Sequence, residues 1–92
     1  MIVGFRHKGL KLLFEAGDRS KLRPDMVGKI SIVLAALDEA AATTDMDRPS
    51  FRLHALKGEL RGFWSVWVNG NWRIIFRLED GRALDVDLVD YH

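Results

Sequence analysis

The sequence predicts an α+β domain, with two N-terminal helices packed on a mainly antiparallel sheet of about five strands. Three observations carry this prediction. Apolar residues recur at helical spacing through the first part of the chain and at strand spacing from Phe51 onward. The separators "NGN" and "EDG" in the second part are hairpin signals, since Asn and Gly tolerate positive φ and Asp-Gly favours a tight turn. With 92 residues, 48% of them hydrophobic, the chain holds enough apolar material for one modest core and too little for two, so residues 1–92 are read as a single domain.

In chain order, Ile2 to His7 alternates weakly and reads as a short strand pairing inside the sheet. Leu10, Leu13 and Phe14 then fall at helical spacing, Lys11 stands one turn before Glu15, and Gly17 offers a C-terminal stop. Pro24 suits a first helical position and Asp25 the positive end of the helix dipole. The stripe of Met26, Ile30, Val33, Leu34, Leu37 and Ala41 marks the longest helix, the layer expected to cover the sheet. The polar stretch "TTDMDRPS" leads to four strand-like runs, "FRLHALK", "FWSVWV", "WRIIFRL" and "ALDVDLVDYH", which read as an antiparallel meander.

Composition narrows the functions. Without cysteine there is no disulfide, no thiol nucleophile and no thiolate zinc site, which fits a reducing compartment and makes the cytoplasm the expected location. No stretch approaches the roughly 18 apolar residues of a membrane span, and the N-terminus lacks a signal-peptide core, so no membrane association is expected. Charge is segregated. Met1 to Leu37 carries seven basic and three acidic residues, and Phe51 to Arg77 five and one. Asp38 to Ser50 carries one basic and four acidic, and Leu78 to His92 one and five. Such blocks can place a basic face for phosphate beside an acidic face for another partner.

Strand parity locates the candidate chemistry. In "WRIIFRL" the residues Trp72, Ile74, Phe76 and Leu78 share one face, so Arg73 and Arg77 project from the other beside Ile75. In the last run Leu84, Val86 and Leu88 take the core face and leave Asp85, Asp87, Val89 and Tyr91 on the open one. Leu53 and Ala55 suggest the core side of the first run and put Arg52 and His54 outside. Lys57 and His92 break parity, but Gly58 and the chain end free them to turn toward the same face. Such a set suits RNA cleavage by attack of a 2′-hydroxyl on the adjacent phosphate. Arg73 and Lys57 supply charge for the anionic phosphorane, and His54, Tyr91 and His92 can move protons. The substrate supplies its own nucleophile, so neither metal nor cofactor is expected.

Plainer readings stand beside this one. A strand arginine is often solvated or paired with an acid such as Asp85 or Asp87. Trp64 and Trp72 lie in phase with the core, leaving Trp67 as the one indole expected to be exposed to RNA. His7, His54 and His92 have no metal-ligand spacing, and "NGNW" is not followed by a helix that would cradle a phosphate. The rival function is a non-catalytic module that binds RNA through the basic sheet face, or a protein through its acidic segments, with salt-sensitive binding and no cleavage.

The stretches "FRHKGL" and "LFEAG" near the start, "RLHALKG" in the middle, "FWSVWVNGNWRIIF" after it and "VDYH" at the end occur in this order over nearly the whole chain. On these the chain resembles the HigB-type toxins of the RelE superfamily, the toxic halves of bacterial type II toxin–antitoxin pairs. The resemblance implies binding in the ribosomal A site and cleavage of messenger RNA there. It also implies a cognate antitoxin with a helix-turn-helix domain, through which alone operator DNA would be contacted. By motif it assigns His54 and Lys57 from "LHALKG", Arg73 from "NWRI", and Asp90, Tyr91 and His92 from "DYH". Arg52, Arg77, Asp90 and Trp67 are taken as RNA-binding or orienting groups around that centre. Ala55 stands where the family commonly has proline, and Val89 precedes Asp90 where a second acid is often found; neither removes a functional group.

Overall fold

The computed structural model describes residues 1–91. Helix α1 spans Lys8–Ala16 and α2 Pro24–Glu39, and four strands follow: β1 (His54–Ala55), β2 (Trp64–Asn69), β3 (Trp72–Glu79) and β4 (Arg82–Asp90). They pair antiparallel in the order β1-β2-β3-β4. Among the described residues, no helix is long and apolar enough to cross a membrane.

Helix α1 begins where the His7 ring turns back on it, Nδ1 accepting from the Leu10 N–H at 3.2 Å. A Cβ on Gly9 would sit 2.9 Å from that ring, so the cap depends on a glycine beside it. Gly17, at φ 68°, ends the helix as its spacing predicted. In α2, Met26, Val27, Ile30, Val33, Leu34 and Leu37 are buried and share one core with Val66, Val68, Ile74, Phe76, Val86 and Leu88. The predicted stripe runs one step too far. The helix stops at Glu39, and Ala41 is exposed, because the Asp45 carboxylate accepts the Ala41 and Ala42 N–H groups at 2.9 and 3.0 Å.

Three departures from simple alternation shape the sheet. The strand expected over Ile2 to His7 is instead an arm that lies parallel to β4 and touches it in two isolated bridges, Ile2 with Ala83 and Phe5 with Val86. It still closes that edge, donating from Val3 to Ala83 O at 2.9 Å and from Arg6 to Val86 O at 2.8 Å. The strand expected over "FRLHALK" shrinks to His54–Ala55, because Pro49–Phe51 forms a 3-10 turn, Phe51 dives into the core and Arg52 adopts φ 49°. Leu53 packs on the core as expected, whereas Ala55 is exposed.

The third departure lies in β4. Arg77 pairs with Leu84 and Ile75 with Asp87, so Phe76 alone faces both Asp85 and Val86. This is a β-bulge, with Asp85 at φ 53°. It shifts parity before Val86: Ala83 takes the core position, and Leu84, expected there, goes to the opposite face with Arg77. The hairpin before it follows its signal, since Asp80 and Gly81 both have positive φ (51° and 74°), the requirement of a type I′ turn.

Candidate active site

The face turned away from α2 carries the predicted site, and register shows how its residues are arranged. His54 pairs with Ser65, Ser65 with Ile75 and Ile75 with Asp87, which makes one row across the sheet. The next row is Trp67, Arg73 and Val89. Tyr91 lies past the second row, its N–H donating to Asn71 O at 2.8 Å, and is 44% exposed. His54 is thus two strands and one two-residue step from Arg73, about 10 Å across and about 7 Å along. That separation lets side chains from both rows converge on one phosphodiester and its neighbours.

This face is not bare. Ile75, only 2% exposed, forms a second small core with Leu56 and Phe63, and Leu60 and Val89 pack against it. The segment after β1 therefore folds over the sheet, held by a bond from Leu56 N–H to Phe63 O at 3.0 Å and by the 3-10 turn Gly58–Leu60. Lys57 precedes that turn with an extended backbone and an exposed side chain, and Gly58, at φ 66°, turns the chain after it. The short run "LKGELRGF" thus packs an apolar footing beside Lys57, where the end of one strand, a separator and the start of the next were expected.

Electrostatics divide the predicted residues. Arg73 folds back on the hairpin, its Nη1 donating to Gly70 O at 3.0 Å and Trp72 O at 3.2 Å, and makes no ion pair with a carboxylate among the described residues. The side chains of His54 and Lys57 are likewise without a hydrogen-bond or ion-pair partner among the described residues, and both residues are exposed. Arg77 is tied down by Glu79 at 2.9 Å and Asp85 at 3.6 Å, with the Phe63 ring 6.0 Å away. Asp90 stands at the end of β4, paired in register with Trp72. His92 lies outside the described residues.

Trp67 is half-buried, and its ring has company: the Arg52 guanidinium at 4.3 Å and the Lys29 ammonium at 4.9 Å. The sequence reading missed Lys29, because a helix assigned to cover the core gave no reason to look for a cation reaching round the sheet edge. It also missed Arg6, which pairs with Asp85 at 3.5 Å and lies 5.2 Å from the Phe63 ring. A cavity of about 390 Å³ lined by Met1, Val3, Glu79, Asp80, Arg82 and Leu84 lies at the far end of the β3–β4 hairpin. It contains none of the groups predicted to move protons, and an open, cation-bearing sheet face suits a polymer better than a closed cavity does.

Residues 3–92 match the family model described as RelE-like toxin of type II toxin–antitoxin system HigB. The chain is 44% identical over 92 residues to the endoribonuclease HigB of Proteus vulgaris, covering all of both chains. It is 34% identical over 90 residues to toxin HigB-1 of Vibrio cholerae serotype O1, covering 96% of this chain and 95% of that one. In fold it is similar to YoeB in the heterotetrameric YoeB–YefM toxin–antitoxin complex from Staphylococcus aureus, with TM-score 0.64 and 21% identity over 100% of this chain and 95% of that one. A YoeB dimer from the same organism gives TM-score 0.61 at 20% identity, over 99% and 94% of the two chains.

Proposed function

Because the chain belongs to the HigB-like family of RelE-like toxins of type II toxin–antitoxin systems, we propose that it is an endoribonuclease toxin that enters the ribosomal A site and cuts the messenger RNA there, stopping translation. One observation carries the mechanism. Register puts His54 and Arg73 on one face, Tyr91 follows at the end of β4, and no acid of the described residues neutralises Arg73 or the exposed Lys57.

The 2′-oxygen of the substrate attacks the adjacent phosphorus while its proton passes to a base. The bond to the 5′-oxygen breaks, and that oxygen takes a proton from an acid, leaving a cyclic phosphate and a 5′-hydroxyl. Arg73 and Lys57 stabilise the added negative charge on the phosphorane, and His54, Tyr91 and His92 share the two proton transfers. No metal is needed to generate the nucleophile. Arg77 and Asp90 serve as orienting groups, and Arg52 and Trp67 contact the RNA beyond the reacting phosphate. A cognate antitoxin with a helix-turn-helix domain neutralises the protein in the cytoplasm and alone contacts operator DNA.

The test is 5′-end mapping of messenger RNA in cells briefly induced for the wild type or for Arg73→Ala. Codon-phased cuts with the wild type alone are expected. Identical end profiles, with both proteins folded, would instead favour a module that binds RNA without cutting it.

A further inference from the structure

We propose that Asn69, hydrogen-bonded to Asp25 of α2, is a positioning residue for the cleavage: it steadies the β2–β3 turn whose carbonyls set Arg73 and Tyr91. The proposal rests on the reading of the protein as a ribonuclease, and it adds two residues from outside the cleavage face that this reading does not use.

The direction of Asn69 is the first observation. A strand alternating to its end would put Asn69 on the same face as Trp67, beside the proposed site. Instead the register slips between them: Trp67 pairs with Arg73 and Asn69 with Trp72, which makes Val68 the extra residue of a β-bulge. Val68 is buried in the main core and Trp72 packs against that core, so Asn69 shares the side of the sheet that α2 covers. There its side-chain amide donates to Asp25 Oδ2 at 3.3 Å. Asp25 stands in the first turn of α2 and is itself held by Arg23, whose Nε and Nη2 donate to it at 3.1 and 2.8 Å. Bulges beside active sites commonly re-aim a side chain, and this one sends a polar group from the open face to a helix end.

The turn that follows is the second observation, because it presents two successive carbonyls to the proposed site. Gly70 O accepts from Arg73 Nη1 at 3.0 Å and from Trp67 Nε1 at 2.9 Å, and Asn71 O accepts from the Tyr91 N–H at 2.8 Å. One turn therefore sets both the direction of the Arg73 guanidinium and the backbone of Tyr91.

Asn69, Gly70 and Asn71 are all exposed, and exposed turns open locally at little cost in free energy. Misplacing a reacting group by about 1 Å can slow a reaction about 100-fold, so a turn with this duty needs an anchor. The bond to Asp25 supplies one, since α2 is fixed along its length by a buried apolar stripe. A single exposed hydrogen bond of this length adds little to global stability; its effect is on where the turn sits.

The test is single-turnover cleavage of messenger RNA on programmed ribosomes by the wild type, Asn69→Ala, Asn69→Asp, Asp25→Asn and the exchange Asn69→Asp/Asp25→Asn. Asn69→Ala is expected to lower the maximal rate about tenfold, with the half-saturating protein concentration within about twofold of wild type and the melting temperature unchanged. Asn69→Asp sets two carboxylates against each other and is expected to be slower still. The exchange restores an amide–carboxylate pair with donor and acceptor reversed, and is expected to recover most of the lost rate. Amide hydrogen exchange adds a readout independent of cleavage: the Tyr91 N–H is expected to exchange about tenfold faster in Asn69→Ala. Wild-type rate and wild-type Tyr91 exchange in folded Asn69→Ala would overturn the proposal, as would an exchange variant no faster than Asn69→Asp. Messenger left uncut by the wild type would overturn the ribonuclease reading, and this role with it, whatever the variants show.

Discussion

Arg73 and Arg77 leave the same face of β3, yet their surroundings are opposite. Arg77 is held by Glu79 and Asp85, with Arg6 on the same aspartate and the Phe63 ring close to both guanidiniums. Its charge is spent on joining the N-terminal arm, the bulge of β4 and the small second core. Among the described residues Arg73 meets backbone carbonyls and no carboxylate, which fixes the direction of its guanidinium without neutralising its charge there. Two arginines of equal parity thus have different partners, decided by the acids that reach one end of the face. In the proposed mechanism the phosphorane meets the unneutralised one.

The largest effect that sharpens this contrast is expected from Arg73→Ala. By analogy with removal of one transition-state donor, cleavage in a translation assay should fall by about 100- to 1,000-fold, with stability within about 0.5 kcal/mol of wild type. A folded variant that still cuts at the wild-type rate would remove Arg73 from the mechanism.

Between the two arginines, Ile75→Ala should cost about 2–4 kcal/mol in urea unfolding, because Leu56, Phe63 and Val89 pack on that side chain. Cleavage should fall as well, since the footing of Lys57 loosens. Unchanged stability would mean that the second core does not hold the segment after β1.

Arg77→Ala should reverse the pattern of Arg73→Ala. Loss of partly exposed ion pairs and a ring contact predicts about 0.5–1.5 kcal/mol of destabilisation, and cleavage should drop less than tenfold. If Arg77→Ala instead abolished cleavage in a stable protein, the distinction between the two ends would fail.

The smallest effect concerns an acid satisfied without any arginine. The N–H groups of Ala42 and then Ala41 hold the Asp45 carboxyl below its ordinary value. A carboxyl lowered by folding stabilises the native state above the ordinary carboxylate range, and that contribution is lost as pH falls through the lowered value. Asp45→Ala should therefore be less stable than wild type at neutral pH, with the gap narrowing below about pH 4. A gap that stays constant down to strong acid would show that the carboxylate charge contributes nothing.

Much of this architecture was legible because it depends on local rules. The stripe of α2, the stop at Gly17, the Asp80–Gly81 turn and the alternation of β3 each follow from residues within a few positions of one another. The bulge at Asp85 was not legible, since "LDVDL" alternates without a fault and nothing local announces an extra residue. It is held by the arm, through Val86 N–H to Gly4 O at 3.1 Å, and by Arg6 and Arg77 from either side. The shortening of the first strand escaped notice for a related reason. Phe51 reads as a strand residue until the core claims it, and Arg52 must then turn through a left-handed conformation.

The sequence by itself therefore determined the α+β class, the helix that covers the sheet, and the parity that puts Arg73 and His54 on one face, because periodicity and turn chemistry act over short separations. Tertiary structure alone decided which arginine keeps its charge, that Leu56 and Phe63 fold over Ile75 beneath the site, and that Lys29 of the covering helix reaches Trp67. Those outcomes depend on which distant acids, rings and backbone groups arrive at the same place, and packing and charge neutralisation become readable only once the chain is folded.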